Sequence, residues 1–472
     1  MFKHRLIFAL FCIVLCCGIA SGQNLCSTTV LSDKLICLIP QVYGPDGLVL
    51  QNTNAQALGV APFQNALPRA LSPANASVGR QTALLPLASP SSGITFSWNE
   101  ESKIFVESTD SFGPIFGERA DTIGKRRVYI GFGYQYFDFE SHDGIDLKNL
   151  RAVFTQPDTR ADNINGGTTC SLKPTDSVNS LGQCGFIRDI ITTTNRLDLK
   201  LHQFTTVATY GLTSHIDVSM AIPIANVRMA IASSATIKNI SATGIHQFPD
   251  RPGCSPCLTT TSSNAATASG IGDITFRVKG VAWKAENASL ALGVDVRVPS
   301  GDALNFLGSG AAGFKPFVVW SRRSRISPHM LVGYQINGSS IIAGDITTGK
   351  KERLPGELTY SGGADVWITK RLSAAFDMVG QQVFQAGRLS VKSFVEPRAC
   401  TDPSCGALVA PPAPTDPDLG TATNAYNVTN ASIGARIKIF SRMVVTGNAL
   451  IRLNDGGLRA KVAPFVAVSY TF

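Results

Sequence analysis

The sequence predicts an all-β protein, a transmembrane antiparallel up-and-down β-barrel of 12 strands preceded by an irregular N-terminal segment. Three observations carry that prediction. Charged residues make up 16% of the 472-residue chain, below the roughly 25% of soluble domains, yet nothing after the first 22 residues approaches the ~20 consecutive apolar residues of a membrane helix. From Val128 onward, segments of about ten residues alternate apolar with polar or small side chains, the period of a strand with two unlike faces. The connections between those segments alternate along the chain between long and short.

Residues 1–22 read as a signal peptide. Lys3, His4 and Arg5 form a basic start, Leu6 to Cys17 an apolar core, and Ala20-Ser21-Gly22 the small residues a signal peptidase reads. The core is too short to anchor in a membrane. Removing Lys3 and Arg5 with it lowers the formal charge from +9 to +7. Three of the 11 cysteines leave with this segment. The other eight fall into local pairs: Cys26 with Cys37, Cys170 with Cys184, Cys254 with Cys257, and Cys400 with Cys405. An even count in close pairs reads as disulfides in an oxidising compartment, although spacing alone does not fix connectivity. The C-x-x-C spacing of Cys254 and Cys257 also admits redox or metal chemistry, but no second C-x-x-C or His pair lies nearby.

Residues 23–127 form a plug or periplasmic segment. They are rich in Pro, Asn, Ala and Gly and show no steady period. "GITFSWNEESKIFVEST" reads as a hairpin around Asn99-Glu100-Glu101-Ser102. If it joined the wall, the barrel would have 14 strands. "FGPIFGERADTIGKRRV" leads into the first wall strand. A twelve-strand barrel is narrow, so only part of this segment could enter it.

The barrel is residues 128–472. Its strands are expected at about 128–139, 194–210, 216–230, 273–284, 289–298, 314–321, 328–338, 357–368, 373–384, 430–440, 444–452 and 459–472. "DITFRVKGVAW" sets Ile274, Phe276 and Val278 against Asp273, Thr275, Arg277 and Lys279. "SLALGVDVRVP" and "ASIGARIKIF" repeat the arrangement. If each strand crosses a slab, all the long connections lie on one side and all the short turns on the other, as in outer-membrane barrels. Such a wall must close, because every backbone N–H and C=O in lipid needs an internal partner. The last strand, "VAPFVAVSYTF", would then pair with the first, near "VYIGFGYQYF", and turn Val462, Pro464, Val466, Val468, Tyr470 and Phe472 to lipid. A secreted β-sandwich also has period-2 strands, but its loops do not sort by length in this way.

The terminal pattern Val466, Val468, Tyr470, Phe472 resembles the carboxyl-terminal assembly signal of bacterial outer-membrane proteins. The resemblance implies reading by the barrel-assembly machinery and insertion among outer-membrane lipids. "FGPIFGERADTIGKRRVYIGFGYQYFDFESHDGIDL" is similar to outer-membrane channels of the MetA-pathway phenol-degradation family. "TTTNRLDLKLHQFTTVATYGLTSHIDVSMAIPI" and "GIGDITFRVK…LALGVDVRVPSGD…LGSGAAGFKPFV" fit the same family. The resemblance spans roughly 112 to 472 and implies a barrel of the broad fatty-acid and aromatic-hydrocarbon (FadL-type) channel group. The Asn-Pro-Ala element of the fatty-acid channels' hatch is not matched by "SPANAS" at 72–77.

The polar face would line the lumen with Arg196, Asp198, Lys200, Asp217, Asp273, Arg277, Lys279, Asp295, Arg297, Asp365, Asp377, Arg436, Lys438, Arg459 and Lys461. That is nine cations against six anions. Facing charges across a narrow lumen set up a transverse field, and the excess would favour anionic solutes. The blander reading is mutual neutralisation and hydration. In the second strand Arg196, Asp198, Lys200 and His202 alternate cleanly with leucines, but the phase blurs from Gln203, which predicts a β-bulge there. No G-x-S-x-G, H-E-x-x-H or phosphate loop occurs. His142, His202 and His215 are the only barrel histidines near strand ends, and none has a recognisable Ser or Asp partner. No cofactor, metal or nucleic acid is implied. The expected function is a passive outer-membrane channel for small, hydrophobic or aromatic solutes. The alternatives are a structural or adhesive barrel acting through disulfide-stapled loops, and a barrel hydrolase.

Overall fold

The structure, a computed structural model, describes residues 26, 30–45, 47–50, 96–99, 104–107, 115–154, 190–238, 246–346, 349–395, 415–440 and 442–472. The signal segment and the 72–77 element lie outside them. So do four of the eight candidate disulfide cysteines, Cys170 and Cys184 in one long connection, Cys400 and Cys405 in another. Of the four expected pairings, the two within the described residues are formed: Cys26 is bonded to Cys37, and Cys254 to Cys257.

Twelve wall strands follow in order: β1 (Val128–Phe139), β2 (Ile190–Gly211), β3 (Ile216–Lys238), β4 (Ile274–Lys284), β5 (Ala288–Val298) and β6 (Gly313–Arg322), then β7 (Ile326–Asn337), β8 (Glu357–Thr369), β9 (Leu372–Val395), β10 (Thr415–Phe440), β11 (Met443–Arg452) and β12 (Val462–Thr471). Each pairs antiparallel with its neighbours. The ring closes where β12 meets β1, with Phe465 opposite Gln135 and Thr471 opposite Tyr129. The Phe472 N–H donates to the Val128 carbonyl at 2.8 Å. The C-terminal strand therefore has no free edge at the seam, as a chain surrounded by lipid requires.

The 96–107 hairpin pairs only with itself, Phe96 opposite Glu107. The wall therefore has twelve strands, not fourteen. Two short-range additions extend it at the long-loop rim. Leu150–Phe154 pairs with the start of β2, and Thr259–Ile271 pairs with the end of β3. A membrane crossing takes about 9–11 residues of tilted strand. β2, β3, β9 and β10 have 22, 23, 24 and 26 residues, so their upper halves stand clear of the bilayer. Two towers result, β2–β3 and β9–β10. They are joined at the top by the Lys238–Asp416 ion pair at 2.8 Å and by the Val153 N–H on Asp418 Oδ1 at 2.9 Å.

The alternation sorts the faces. Phe276, Val278, Leu292, Val296, Val318, Val332, Ile433, Val466 and Val468 are all exposed on the outside. So broad an apolar exterior would aggregate in water and suits a lipid-facing band. Tyr470 and Phe472 lie against each other, ring centroids 4.6 Å apart, at the short-turn rim. Tyr134, Tyr136, His202 and Phe204 cluster on the outer face toward the other rim, where Tyr134 Oη meets His202 Nδ1 at 2.9 Å. Aromatic residues at both edges of the apolar band are where interfacial girdles belong.

The β-bulge expected at Gln203 does not exist. β2 pairs in unbroken register with β1 and with β3 through that position. What changes is the chemistry of a constant face. Leu197, Leu199 and Leu201 point inward like Gln203, Val207 and Thr209. The leucines meet an apolar interior above, and the polar residues a polar interior below. The upper interior is a packed core. In it the turn Leu35–Cys37 and its neighbours Ile39 and Val42 meet Phe137, Phe139, Leu199, Leu201, Val227, Met229, Phe306 and Ile342.

Candidate functional site

Below that core, residues Ile115 to Gly124 descend through the lumen to the short-turn rim, every one of them buried. Phe116 packs on Phe465, centroids 5.0 Å apart, at mid-barrel. At the bottom the Ile123 N–H meets Asp217 Oδ2 at 2.9 Å, and Thr122 Oγ1 donates to the Ser214 carbonyl at 2.8 Å. Gly124, with φ +100°, then turns the chain into the wall. That turn needs Gly211 beneath it, because a Cβ there would stand 1.8 Å from the Gly124 carbonyl oxygen. The segment is a strap held inside the barrel without covalent attachment between its ends.

Its charges meet those of the wall. Glu118 lies between Arg277 Nη1 at 2.6 Å and Lys279 Nζ at 2.8 Å. The Lys279 ammonium also donates to the carbonyls of Arg119 at 2.8 Å and Asp121 at 2.9 Å, which satisfies all three of its donors. Arg277 forks onto Asp295 at 2.6 and 2.8 Å, and Asp295 takes Lys315 at 2.9 Å. On the opposite side Arg119 reaches Asp365 at 2.9 Å. Asp365 and Asp377 flank His329, whose Nε2 is 2.5 Å from Asp377 Oδ1. Lower down, Asp121 binds Arg323, with Nε at 3.0 Å, and accepts from Ser289 Oγ at 3.2 Å. The Ala120 N–H donates to Ser321 Oγ at 3.1 Å. Ion pairs this dry are favourable only while complete. Removing one partner strands a charge.

The sequence-predicted lumen residues divide into groups. Asp217, Arg277, Lys279, Asp295, Asp365, Asp377 and Arg436 are on the inner face at the level of the strap, and Lys438 is half-buried on the same face near the rim. Asp273 and Arg297 are also inside but higher. There Asp273 accepts from the Ser309 N–H at 2.8 Å and the Gly301 N–H at 3.1 Å, fixing an outer loop. The others are not in the lumen. Arg196, Asp198 and Lys200 face outward, because the inward positions between them are the core leucines. Arg459 is buried in the outer loops, donating to the carbonyls of Asn454 at 3.0 Å and Thr429 at 2.7 Å. Lys461 is exposed and pairs with Glu140 at 3.1 Å. Glu118, Arg119, Asp121, Lys315, Arg323 and His329 escaped sequence reading. For Glu118, Arg119 and Asp121 the signal was present in "FGERADTIG", where three charges sit in an apolar, Gly-bounded stretch.

Along β1, β2, β10, β11 and β12 a cavity of about 30 Å³ remains, lined by Tyr129, Gln135, Gln203, Arg436, Thr446 and Ser469 among others. It has room for a water or two. Among the described residues this part of the lower lumen has room for water and not for a larger solute. Among the described residues no His, Cys, Asp and Glu cluster is arranged for a metal ion.

Residues 192–384, from β2 into β9, match a family described as a putative MetA-pathway of phenol degradation. No curated protein matches the sequence. Among solved structures the chain is similar to an outer membrane channel from Pseudomonas putida F1, at 9% identity and TM-score 0.42, over 75% of this chain and 98% of that one. It is also similar to a FadL homologue from Pseudomonas aeruginosa, at 9% identity and TM-score 0.28, over 74% and 90%. The barrel itself rests on the chain's own strand pairing rather than on these likenesses. A sheet closed on itself with its apolar side chains outside has one solvent that suits it, and this chain is an outer-membrane β-barrel that resembles the phenol-degradation family through its matched middle.

Proposed function

We propose that the protein passes small hydrophobic or aromatic solutes across the outer membrane by passive diffusion, and that the 115–123 strap is its internal gate. One observation carries the reading. The strap fills the lower lumen through non-covalent contacts, with ion pairs and hydrogen bonds to side chains of the five strands β3, β4, β5, β6 and β8 and of the turn residue Arg323, beside the apolar contacts of Ile115, Phe116, Ala120 and Ile123. The packed upper interior, with Phe137, Phe139 and Leu201, would have to part together with the strap, and its apolar side chains support a solute of apolar character. The family description, which names phenol degradation, supports the aromatic class. Release of the strap would expose the charged ladder Arg277, Lys279, Asp295, Asp365 and Asp377 as the wet half of the route. The test is planar-bilayer conductance together with liposome uptake of a simple phenol. Expected are a low basal conductance and uptake faster than through empty liposomes. Full-length protein with no conductance under any condition, and uptake equal to the empty control, would refute the channel.

A further inference from the structure

We propose that the outer face of β1–β2–β3 holds a phosphorylated glycolipid of the outer leaflet, with lipid A as its simplest form. The wall there is layered. Lowest are the exposed apolar side chains Phe204, Ile224 and Ile271, beside Tyr134 in the aromatic girdle. One register step above the Tyr136–His202–Asn226 row, Asp138, Lys200 and Arg228 stand directly opposite one another on three adjacent strands. Two like charges in register lie roughly 5 Å apart at Cβ and destabilise a sheet, and Lys200 and Arg228 are such a pair.

The two carboxylates of this face, Asp198 and Asp138, lie by Lys200, and among the described residues none pairs with Arg228. Lys200 Nζ is drawn 3.2 Å from Asp198 Oδ2, on its own strand. Arg228 donates its Nε–H to Asn226 Oδ1 at 3.2 Å and is exposed. Farther up the same face Arg196 is exposed, as is Arg151, which pairs with Thr194. The face thus carries four cations against Asp138 and Asp198. Above Lys200 a shallow groove is lined by Arg196, Thr194, Ala232, Ser234, Thr261 and Ser263.

An anion at Lys200 and Arg228 removes the like-charge conflict. Guanidinium and ammonium groups at the polar edge of a girdle suit a phosphate ester. Acyl chains would lie below it on Phe204, Ile224 and Ile271, and a sugar above it would meet the Ser/Thr hydroxyls of the groove. Free phosphate offers neither of those two contacts, so the stacking of apolar, cationic and hydroxyl layers in one column favours a glycolipid.

Protein refolded from denaturant into lipid-free detergent is to be titrated with diphosphoryl lipid A, with chemically dephosphorylated lipid A, and with inorganic phosphate, and followed by native mass spectrometry. We expect one-to-one retention of diphosphoryl lipid A at least tenfold tighter than the dephosphorylated form, with no retention of inorganic phosphate. Lys200→Gln/Arg228→Gln should weaken retention at least fivefold. Lys350→Gln/Lys351→Gln, in an exposed outer hairpin, should leave it unchanged. Folding is checked by heat-modifiable gel migration, and Arg228→Gln alone serves if the double variant fails that check. Equal retention by the Lys200/Arg228 variant and the unaltered chain would overturn the proposal. So would equal affinity for the dephosphorylated lipid, or displacement of the lipid by inorganic phosphate at matched concentration.

Discussion

Lys279 and Asp143 show how one buried charge can hold a larger assembly. Lys279 is 2% exposed and spends its three protons on Glu118 and two strap carbonyls. Replacing it with Met removes the cation and leaves two carbonyls and part of a carboxylate unanswered. Breaking a buried pair from one side costs about 3–5 kcal/mol, and Arg277 retains a share of Glu118, so about 3 kcal/mol is expected. That loss should fall on the strap rather than on the wall. Lys279→Met is predicted to raise basal conductance while barrel melting changes little, and unchanged conductance would argue against the strap as the gate. Asp143 sits among the outer loops. It accepts from Arg388 Nε at 2.9 Å and from the N–H groups of Leu389 and Gly457, each at 3.0 Å, with His142 Nδ1 3.1 Å away. Burial works to raise its pKa, but the His142, Gly457 and Arg388 contacts outweigh burial and hold the carboxyl well below its usual range. The stabilisation is therefore fully present above the unfolded value of about 3.9 and is lost as pH falls through the depressed folded value. Protection of the Gly457 and Leu389 amides, measured as hydrogen exchange relative to the intrinsic rate at each pH, should fall as pH drops below about 4. In Asp143→Asn that protection should be low at every pH, with a loss of about 1–3 kcal/mol in local stability.

At the scale of elements, the strap and the towers are the parts the chain adds to a plain barrel, and they were the parts least legible in its sequence. The twelve wall strands announce themselves because one face must be apolar for lipid and the other is not, and Asp273 to Trp283 could hardly be read otherwise. The upper half of β10, "TDPDLGTATNAYNVT", stands in water on one side and over packed loops on the other, so it has no such contrast and reads as loop. In β2 the pattern was legible and its direction was not. Leucines alternating with Arg196, Asp198 and Lys200 mark two faces, and a rule made for the membrane zone assigns them backwards above it, where the interior is an apolar core. The strap has no period at all, because its side chains radiate to walls on every side. Its role can be tested by tethering it. The Ala120 N–H lies 3.1 Å from Ser321 Oγ, which brings the two positions close enough to cross-link. Ala120→Cys/Ser321→Cys is predicted to be silent in a bilayer when oxidised and to conduct like the unaltered chain after reduction. Conductance through the oxidised form would place the route elsewhere.

On the scale of the whole molecule, everything depends on a seam that joins residue 128 to residue 472. No local turn can form it, because the two strands are the most distant in the chain. Contacts of such sequence separation cost the most closure entropy and form slowly. Meanwhile β12 and β1 both present unpaired edges, a hazard in water. The chain's end therefore has two separable tasks. One is energetic: the Phe472 N–H on the Val128 carbonyl and the Tyr470–Phe472 ring contact finish the seam, at a worth of roughly 1–2 kcal/mol together. The other, which the resemblance of Val466, Val468, Tyr470 and Phe472 to an assembly signal leads us to propose, is recognition by the barrel-assembly machinery before the seam exists. Deleting Phe472 distinguishes the two. If the residue acts only in the seam, refolding yield into detergent and assembled yield in the outer membrane should fall by the same modest factor. If it is also read, assembly in cells should fall at least tenfold further than refolding, and Phe472→Tyr or Phe472→Trp, which keep a terminal ring, should restore most of it. Parallel losses in the two settings, or no rescue by another aromatic, would leave the seam as the sole role of the terminal residue.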